Sequence, residues 1–267
     1  RQAKDSLIAY NAKFINEGNS DLFYGTDFSF VRADTQPEAA EIIRKLYREE
    51  VARRGIESVQ ILSPFRSEGE ASAQALNEAI REEVNPSVDG KPEVMFGGRM
   101  YRLHDRVMQI RNNYDLHLQD CWGKLVSTGV FNGEIGTVCR ISSGTVTVDF
   151  EGRFANYPLE SLNELELAHA LTIHKAQGSE CETVIIPLLG AHRILLSCNL
   201  LYTAITRAKS RVWLVGQKKA LFMAIHRKGN GKRNTLLDER MKLYHHALLC
   251  KNTPNLEDGE NSMKKAG

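Results

Sequence analysis

Apolar residues recur at two different periods along this chain, and the changes of period divide it. Residues 5–16 place Leu7, Ile8, Ala12 and Ile15 at helical spacing. The short apolar run 28–31 reads as a buried strand. Residues 38–54 form a long amphipathic pattern with Ile42, Ile43, Leu46 and Val51 on one side, and Gly55 follows as a C-cap. Residues 59–62 predict a strand, 63–69 a polar loop, and 71–84 a helix that Asn85-Pro86 stops. Strands alternating with helices at this spacing predict a parallel sheet covered by helices.

After about Gly97 the period shortens. Residues 106–110 read as a strand, and Ile135, Thr137, Cys139 and Ile141 alternate with polar neighbours. Ser143-Gly144 is a turn, Val146, Val148 and Phe150 alternate again, and Glu151-Gly152 turns once more. These short strands predict a small antiparallel meander closed into a barrel. Residues 115–131 show no period and read as a loop. The helix-and-strand alternation then returns. Strands are expected at 167–173, 184–189 and 211–215. Ser197 caps a helix with Leu200, Leu201, Ala204, Ile205 and Ala208 on its apolar face, and another helix runs to Ile225. The barrel is thus read as inserted into one α/β domain. The domain parts are 1–102 and 163–250, the insert is 103–162, and 251–267 is a polar tail without structure.

Composition adds limits. Lys and Arg number 35 against 33 Asp and Glu, so any polyanion site is a local patch. The five cysteines are scattered without a C-x-x-C pair. Zinc is therefore not expected, no metal ligand is assigned, and a reducing cytoplasm fits. No apolar run is long enough to span a membrane. The chain opens on Arg1 and not on Met, so further sequence is expected upstream.

Two segments carry candidate chemistry. TIHKAQGSE, residues 172–180, follows a buried strand, where α/β sheets bind ligands. Its glycine permits close backbone approach, and its glutamate offers an acceptor for a sugar hydroxyl. LYTAITRAK, residues 201–209, reads as helical, with Arg207 one turn after Thr203 at the edge of the apolar face. Taken singly, the first segment reads as a capped surface loop and the second as an ordinary helix with a solvated arginine.

Together they resemble motifs V and VI of superfamily 1 helicases. SPFRSEGEASAQALNEAIREEVNP, DRVMQIRNNYD and FNGEIG are similar to the RecD/TraA branch in the same order, and RQAKDSLIAYNAKFINEGN is similar to motif IV and its helix. The resemblance covers about residues 1–225. It implies the second of two RecA-like domains, carrying an inserted Src-homology-3-like barrel. It further implies that Arg207 and Arg1 reach the γ-phosphate of ATP and that Gln177, Gly178 and Glu180 contact the nucleotide, with Glu180 at the ribose. Thr172, His174, Ser63, Pro64 and Arg66 would touch single-stranded DNA. The implied activity is ATP-dependent 5′ to 3′ DNA unwinding. The implied partners are DNA, the first RecA-like domain, and a recombination or conjugation complex. The alternatives are a nucleic-acid-binding remnant without a motor role, or the helicase half of a relaxase–helicase. In the barrel, Arg140, Arg153, Asn156 and Tyr157 are expected near turns or strand ends, where they would grip the strand. The stretch 116–130 is longer than the family's usual link into the barrel.

No G-x-x-x-x-G-K-[ST] segment occurs in the sequence, so the phosphate cradle and the Mg2+ ligands are expected upstream. The isolated chain should therefore show no ATP hydrolysis above background in a phosphate-release assay. DNA-stimulated turnover that a point substitution within the chain abolishes would overturn this.

Overall fold

The computed structural model describes residues 6–227, together with Met241, Lys242 and Tyr244. The chain divides into two units, Arg1–Gly229 and Asn230–Gly267. Of the second unit only those three residues are described, as helical. Arg1 and the tail expected at 251–267 lie outside the described residues.

The first unit opens with α1 (Leu7–Glu17), β1 (Phe28–Arg32), α2 (Gln36–Arg54), β2 (Val59–Ser63) and α3 (Ala73–Val84). Each helix start has its side-chain cap. Ser6, Thr35 and Ser72 accept from Ile8, Glu38 and Ala75 N–H groups, and Pro37 sits in the first turn of α2, where its missing N–H costs nothing. Nine short strands follow α3 before the chain returns to the parallel sheet, beginning with the separate hairpin β3 (Glu93–Phe96) and β4 (Arg99–Arg102). They continue through β5 (Arg106–Gln109), β6 (Asn113–Gln119), β7 (Leu125–Val130), β8 (Ile135–Ser142) and β9 (Thr145–Phe150). Then come β10 (Arg153–Pro158), β11 (Leu165–Leu167), β12 (Ala170–Thr172) and β13 (Cys181–Leu188). The described part of the unit ends with α4 (Cys198–Ile205), β14 (Ala208–Gly216) and α5 (Lys218–His226).

β1, β14, β13, β2 and β12 form one parallel sheet in that order. Successive side chains of its strands face opposite ways. Val184, Ile186, Leu62, Val212 and Leu214 join the core beneath α1, α4 and α5. Ile185, Ile61, Val59 and Val215 join the core beneath α2 and α3. The fold is therefore the expected three-layer α/β arrangement. The remaining seven-stranded sheet runs β11-β5-β8-β9-β10-β6-β7 and wraps a third core of Val107, Val138, Val148, Phe150, Tyr157 and their neighbours. Its hydrogen-bond ladder leaves β11 and β7 as edges, so closure is by side-chain packing and not by a continuous ladder.

Three sequence expectations change. Residues 115–131 are not a loop but most of the β6–β7 hairpin; its side chains are largely solvated on both sides, so no alternation marks it. The strand expected over 167–173 is two strands of two sheets, β11 and β12, separated by buried Ala168 and His169. Ala168 and His169 make the apolar run look continuous. Ala208 begins β14 and is not part of α4. Among the described residues no helix is long and apolar enough to cross a membrane.

Two histidines are enclosed by the fold. His169 is fully buried with Nδ1 3.1 Å from the Tyr47 hydroxyl, and burial, aided by Arg106 and Arg81, pushes its pKa down to about 3. His192 is buried edge-on against Phe65, and burial pushes its pKa down to about 4. Both values lie below the roughly 6.5 of a free histidine, so the unfolded chain binds more protons in the interval. Stability from this source is intact above about pH 6.5 and is lost as pH falls through about 4 and then 3. The melting temperature should therefore decline as the medium is acidified from about pH 6.5 to 4.5. A His169→Gln, His192→Leu double variant should show a shallower decline. An equal slope in the two proteins, followed by circular dichroism, would contradict it.

Candidate functional site

The segment that carries most of the candidate residues spans the height of the parallel sheet. Thr172 pairs with Ser63, the last residue of β2, whereas Thr183 pairs with Val59, the first. Residues 173–180 thus return from the carboxyl end of the sheet to its amino end without a regular helix. A run of turns holds them. Lys175 and Ala176 N–H groups donate to the Thr172 carbonyl at 3.0 and 3.2 Å, and Gln177 and Ser179 N–H groups donate to the His174 and Ala176 carbonyls. Ile173 and Ala176 are buried and anchor the run, while His174, Gln177, Gly178, Ser179 and Glu180 are exposed. Gly178 has φ +94°, and a Cβ there would meet nothing within 4 Å. Backbone conformation, not space, requires glycine at this position.

Arg207 meets the lower end of this run. α4 is capped by Ser197, whose hydroxyl accepts from Leu200 N–H, and it buries Leu200, Leu201, Ala204 and Ile205. The helix ends at Ile205, so Arg207 stands in the tight turn into β14 and not on the helix, as its sequence spacing suggests. Its carbonyl accepts from Cys181 N–H at 2.9 Å, which fixes the turn against the start of β13. The half-buried guanidinium donates to the Ser179 carbonyl at 3.1 Å, to the Thr203 carbonyl at 3.3 Å and to Thr206 Oγ1 at 3.5 Å. Among the described residues no carboxylate lies within 4 Å of it. Glu180, next to Ser179, faces Lys209 at 3.9 Å. Gln177, Gly178, Glu180 and Arg207 are therefore gathered at the amino edge of β13 and β14. The Arg207 side chain is held by neutral acceptors and keeps its charge uncompensated, as a group that receives an anion requires.

The other predicted set sits at the carboxyl end, around Thr172, and is only partly presented. Ser63 is fully buried, its hydroxyl donating to the Ala71 carbonyl at 2.8 Å and accepting from Phe65 N–H. Pro64 is buried as well. Both shape the loop and offer no side chain to a ligand, which corrects the sequence reading. Arg66 is exposed and His174 is exposed. Arg66 leads to a cluster that sequence reasoning missed. Glu166 receives Lys175 Nζ at 2.6 Å, Arg66 Nη2 at 2.6 Å and Arg99 Nη2 at 3.5 Å. Burial opposes ionisation of Glu166, but the Lys175 hydrogen bond and the charges of Lys175, Arg66 and Arg99 outweigh it and hold its pKa below the usual carboxylate value. These residues line a cleft of about 590 Å³ together with Tyr101 and Thr172. Lys175 lies inside the segment singled out by sequence. Arg99 and Glu166 come from a hairpin and a sheet edge, and no spacing links them.

In the barrel, Tyr157 is fully buried and donates to Gln109 Oε1 at 2.9 Å, so it is a core residue and cannot grip a strand. Arg153 pairs with Glu134 at 2.9 Å, and Asn156 accepts from Thr147 Oγ1 at 2.7 Å. Arg140 is exposed.

Residues 76–150 match the family described as the ATP-dependent RecD-like DNA helicase SH3 domain, and residues 167–215 match the UvrD-like helicase C-terminal domain. The ATP-dependent RecD2 DNA helicase of Deinococcus radiodurans is 35% identical over 187 residues, which is 70% of this chain and 24% of that protein. The RecBCD enzyme subunit RecD of Mycolicibacterium smegmatis is 36% identical over 113 residues, 42% of this chain and 20% of that protein. This chain thus spans about a quarter or less of the length of these relatives. A solved structure of two coordinating Pif1 helicases at forked DNA overlays with a TM-score of 0.42 at 15% identity, covering 94% of this chain and 53% of that one.

The Glu166 cluster yields a test that needs no partner domain. Glu166→Gln removes the shared counter-charge and leaves three cations facing the cleft. The variant should elute from a polyanion column such as heparin at higher salt than the parent chain, with a steeper salt dependence as more counter-ions are released. Identical elution would mean that these cations do not face an external anion.

Proposed function

We propose, for a chain that joins a RecD-like helicase SH3 domain to a UvrD-like helicase C-terminal domain, that it forms the second half of the motor of an ATP-dependent DNA helicase. In this reading ATP binds between it and a first RecA-like domain, and the motor moves 5′ to 3′ along single-stranded DNA. The observation that carries the proposal is the gathering of Gln177, Gly178, Glu180 and Arg207 at one edge of the sheet, with the Arg207 guanidinium bound to carbonyls and, among the described residues, with no carboxylate beside it. Phosphoryl transfer is catalysed by positioning and by compensating charge on the transferred group. A guanidinium held in a turn by its own backbone and by the 178–180 run suits that task. Gly178 lets the backbone approach a nucleotide, Glu180 offers an acceptor to the ribose, and Gln177 stands beside them.

ATP enters with Mg2+. Among the described residues no group of three His, Cys, Asp or Glu is placed to hold a metal ion, and Glu180 faces Lys209. In this proposal the acidic ligands of that ion belong to the first domain. Thr172, His174 and Arg66, with Lys175, serve the DNA backbone at the opposite end of the same short crossover. A RecD subunit of RecBCD among the relatives makes a recombination complex one setting in which the protein would act.

In the full-length protein, Arg207→Ala should lower the ATPase kcat by about 10³-fold or more, with single-strand affinity and melting temperature close to the parent's. Arg207→Lys should rescue little, because an ammonium cannot reproduce the planar fork. Near-normal steady-state turnover in the alanine variant would sink the assignment.

A further inference from the structure

Two sequence motifs take no part in the nucleotide cluster: RNNYD at 111–115 and FNGEIG at 131–136. The fold brings them together at the root of the β6–β7 hairpin. The Tyr114 and Phe131 rings stand edge to face with centroids 5.8 Å apart, and the two residues are 66% and 46% exposed. Several hydrogen bonds hold the residues of that pair in place. Asn112 Nδ2 donates to the Tyr114 hydroxyl at 3.1 Å, while its Oδ1 accepts from Asn132 N–H at 2.9 Å. Glu134 Oε1 accepts from Phe131 N–H, and Oε2 of the same carboxylate takes Arg153. Gly129 has φ +93°, and a Cβ there would stand 3.5 Å from the Phe131 ring and 3.6 Å from Tyr114 Cα.

The surroundings indicate what meets these rings. Arg111 is exposed, and among the described residues no carboxylate lies within 4 Å of it. Ile110 and Ile135, at the two roots of the hairpin, pack against the core that contains Leu171, Ile173 and Ala176. The roots of the hairpin that carries the aromatic pair are thus seated on the core of the α/β domain. Aromatic faces beside an uncompensated cation suit a strand whose bases stack and whose phosphates carry charge.

We infer that Tyr114 and Phe131 form a base-stacking platform for single-stranded DNA, with Arg111 contacting a flanking phosphate. The inference rests on the proposed DNA track and extends it from the α/β domain onto the barrel. It assigns the grip to residues other than the buried Tyr157.

The test uses the whole chain and two probes, an oligothymidine of about 15 nucleotides and an abasic deoxyribose-phosphate oligomer of equal length. Tyr114→Leu with Phe131→Leu should weaken oligothymidine binding roughly 10- to 100-fold and leave the abasic oligomer bound as before. Tyr114→Phe with Phe131→Tyr should retain affinity. Arg111→Gln should reduce the salt slope for both probes by about one. The positions are exposed, and equal melting temperatures would exclude loss of the fold as the cause. Unchanged oligothymidine binding in the leucine variant overturns the platform while leaving the DNA track standing, and points to a protein partner for these rings. Equal losses on both probes overturn stacking. Failure of the unaltered chain to bind either probe overturns the DNA track itself, and the platform with it.

Discussion

Four residues, 167–170, carry the chain out of one sheet and into another, and their backbone is enclosed as they do so. Buried N–H and C=O groups must be paired, and a strand that changes sheets loses its ladder for a few residues. Two side chains and two backbone bonds, Ala168 N–H to the Arg106 carbonyl and Ile61 N–H to the His169 carbonyl, pair these residues, and a third side chain braces the crossing from beside it. Asn77 on α3 donates to the Leu167 and Ala170 carbonyls and accepts from Ala170 N–H. Gln60 on β2 donates to the Ala168 and His169 carbonyls. Arg106 at the start of β5 donates to the Ile56 and Val59 carbonyls, locking the barrel's first strand to the root of β2. Leaving any such group unpaired costs about 1–3 kcal/mol, so the crossing is set by amides as much as by apolar contact. Everything downstream depends on it. It fixes Thr172 level with Ser63, and from Thr172 the turn run descends to Gly178 and Arg207.

The brevity of that descent has mechanical meaning. A helical crossover would separate the two ends of the segment by a compressible stack of turns. Here eight residues, of which Ile173 and Ala176 are seated in the core, join the carboxyl end of the sheet to its amino end. The two candidate sets lie at opposite ends of one short, turn-locked strap. A shift of either end must be absorbed by the turn bonds or passed to the other end, since the flanking strands are held in the sheet.

Much of this was legible in the sequence, and the failures have physical causes. The helices and central strands carry one buried face, and burial of one face is what writes periodicity into a sequence. The 172–180 segment stands out because small and polar residues follow a strongly apolar run, and 201–209 because Arg207 lies at the edge of an apolar helical face, but their roles come from the resemblance of the two together. The β6–β7 hairpin was read as a loop because Tyr114, Asp115, His117, Leu125 and Val126 are all exposed, so neither face selects apolar residues. Tyr157 was placed on the rim although Ala155 and Tyr157 do alternate inward on β10, a signal that was present and outweighed by residue type. Ser63 is a DNA ligand only by the family resemblance, and the sequence carries no sign that its hydroxyl is taken by the Ala71 carbonyl. The Glu166 cluster joins a loop, a hairpin and two parts of the 165–175 stretch, and no local pattern could assemble them.

The open edge of the barrel has a consequence for strand addition. β7 ends the seven-stranded sheet and exposes Leu125 and Val126, the composition of a strand that would accept another strand beside it. Its pairing with β6 slips register twice, between Asn113 and His117 and between Leu118 and Gln119, and Gly129 turns left-handed near its end. An incoming strand would find donors and acceptors out of step with its own. Register slips of this kind disfavour the addition of a further strand at this edge.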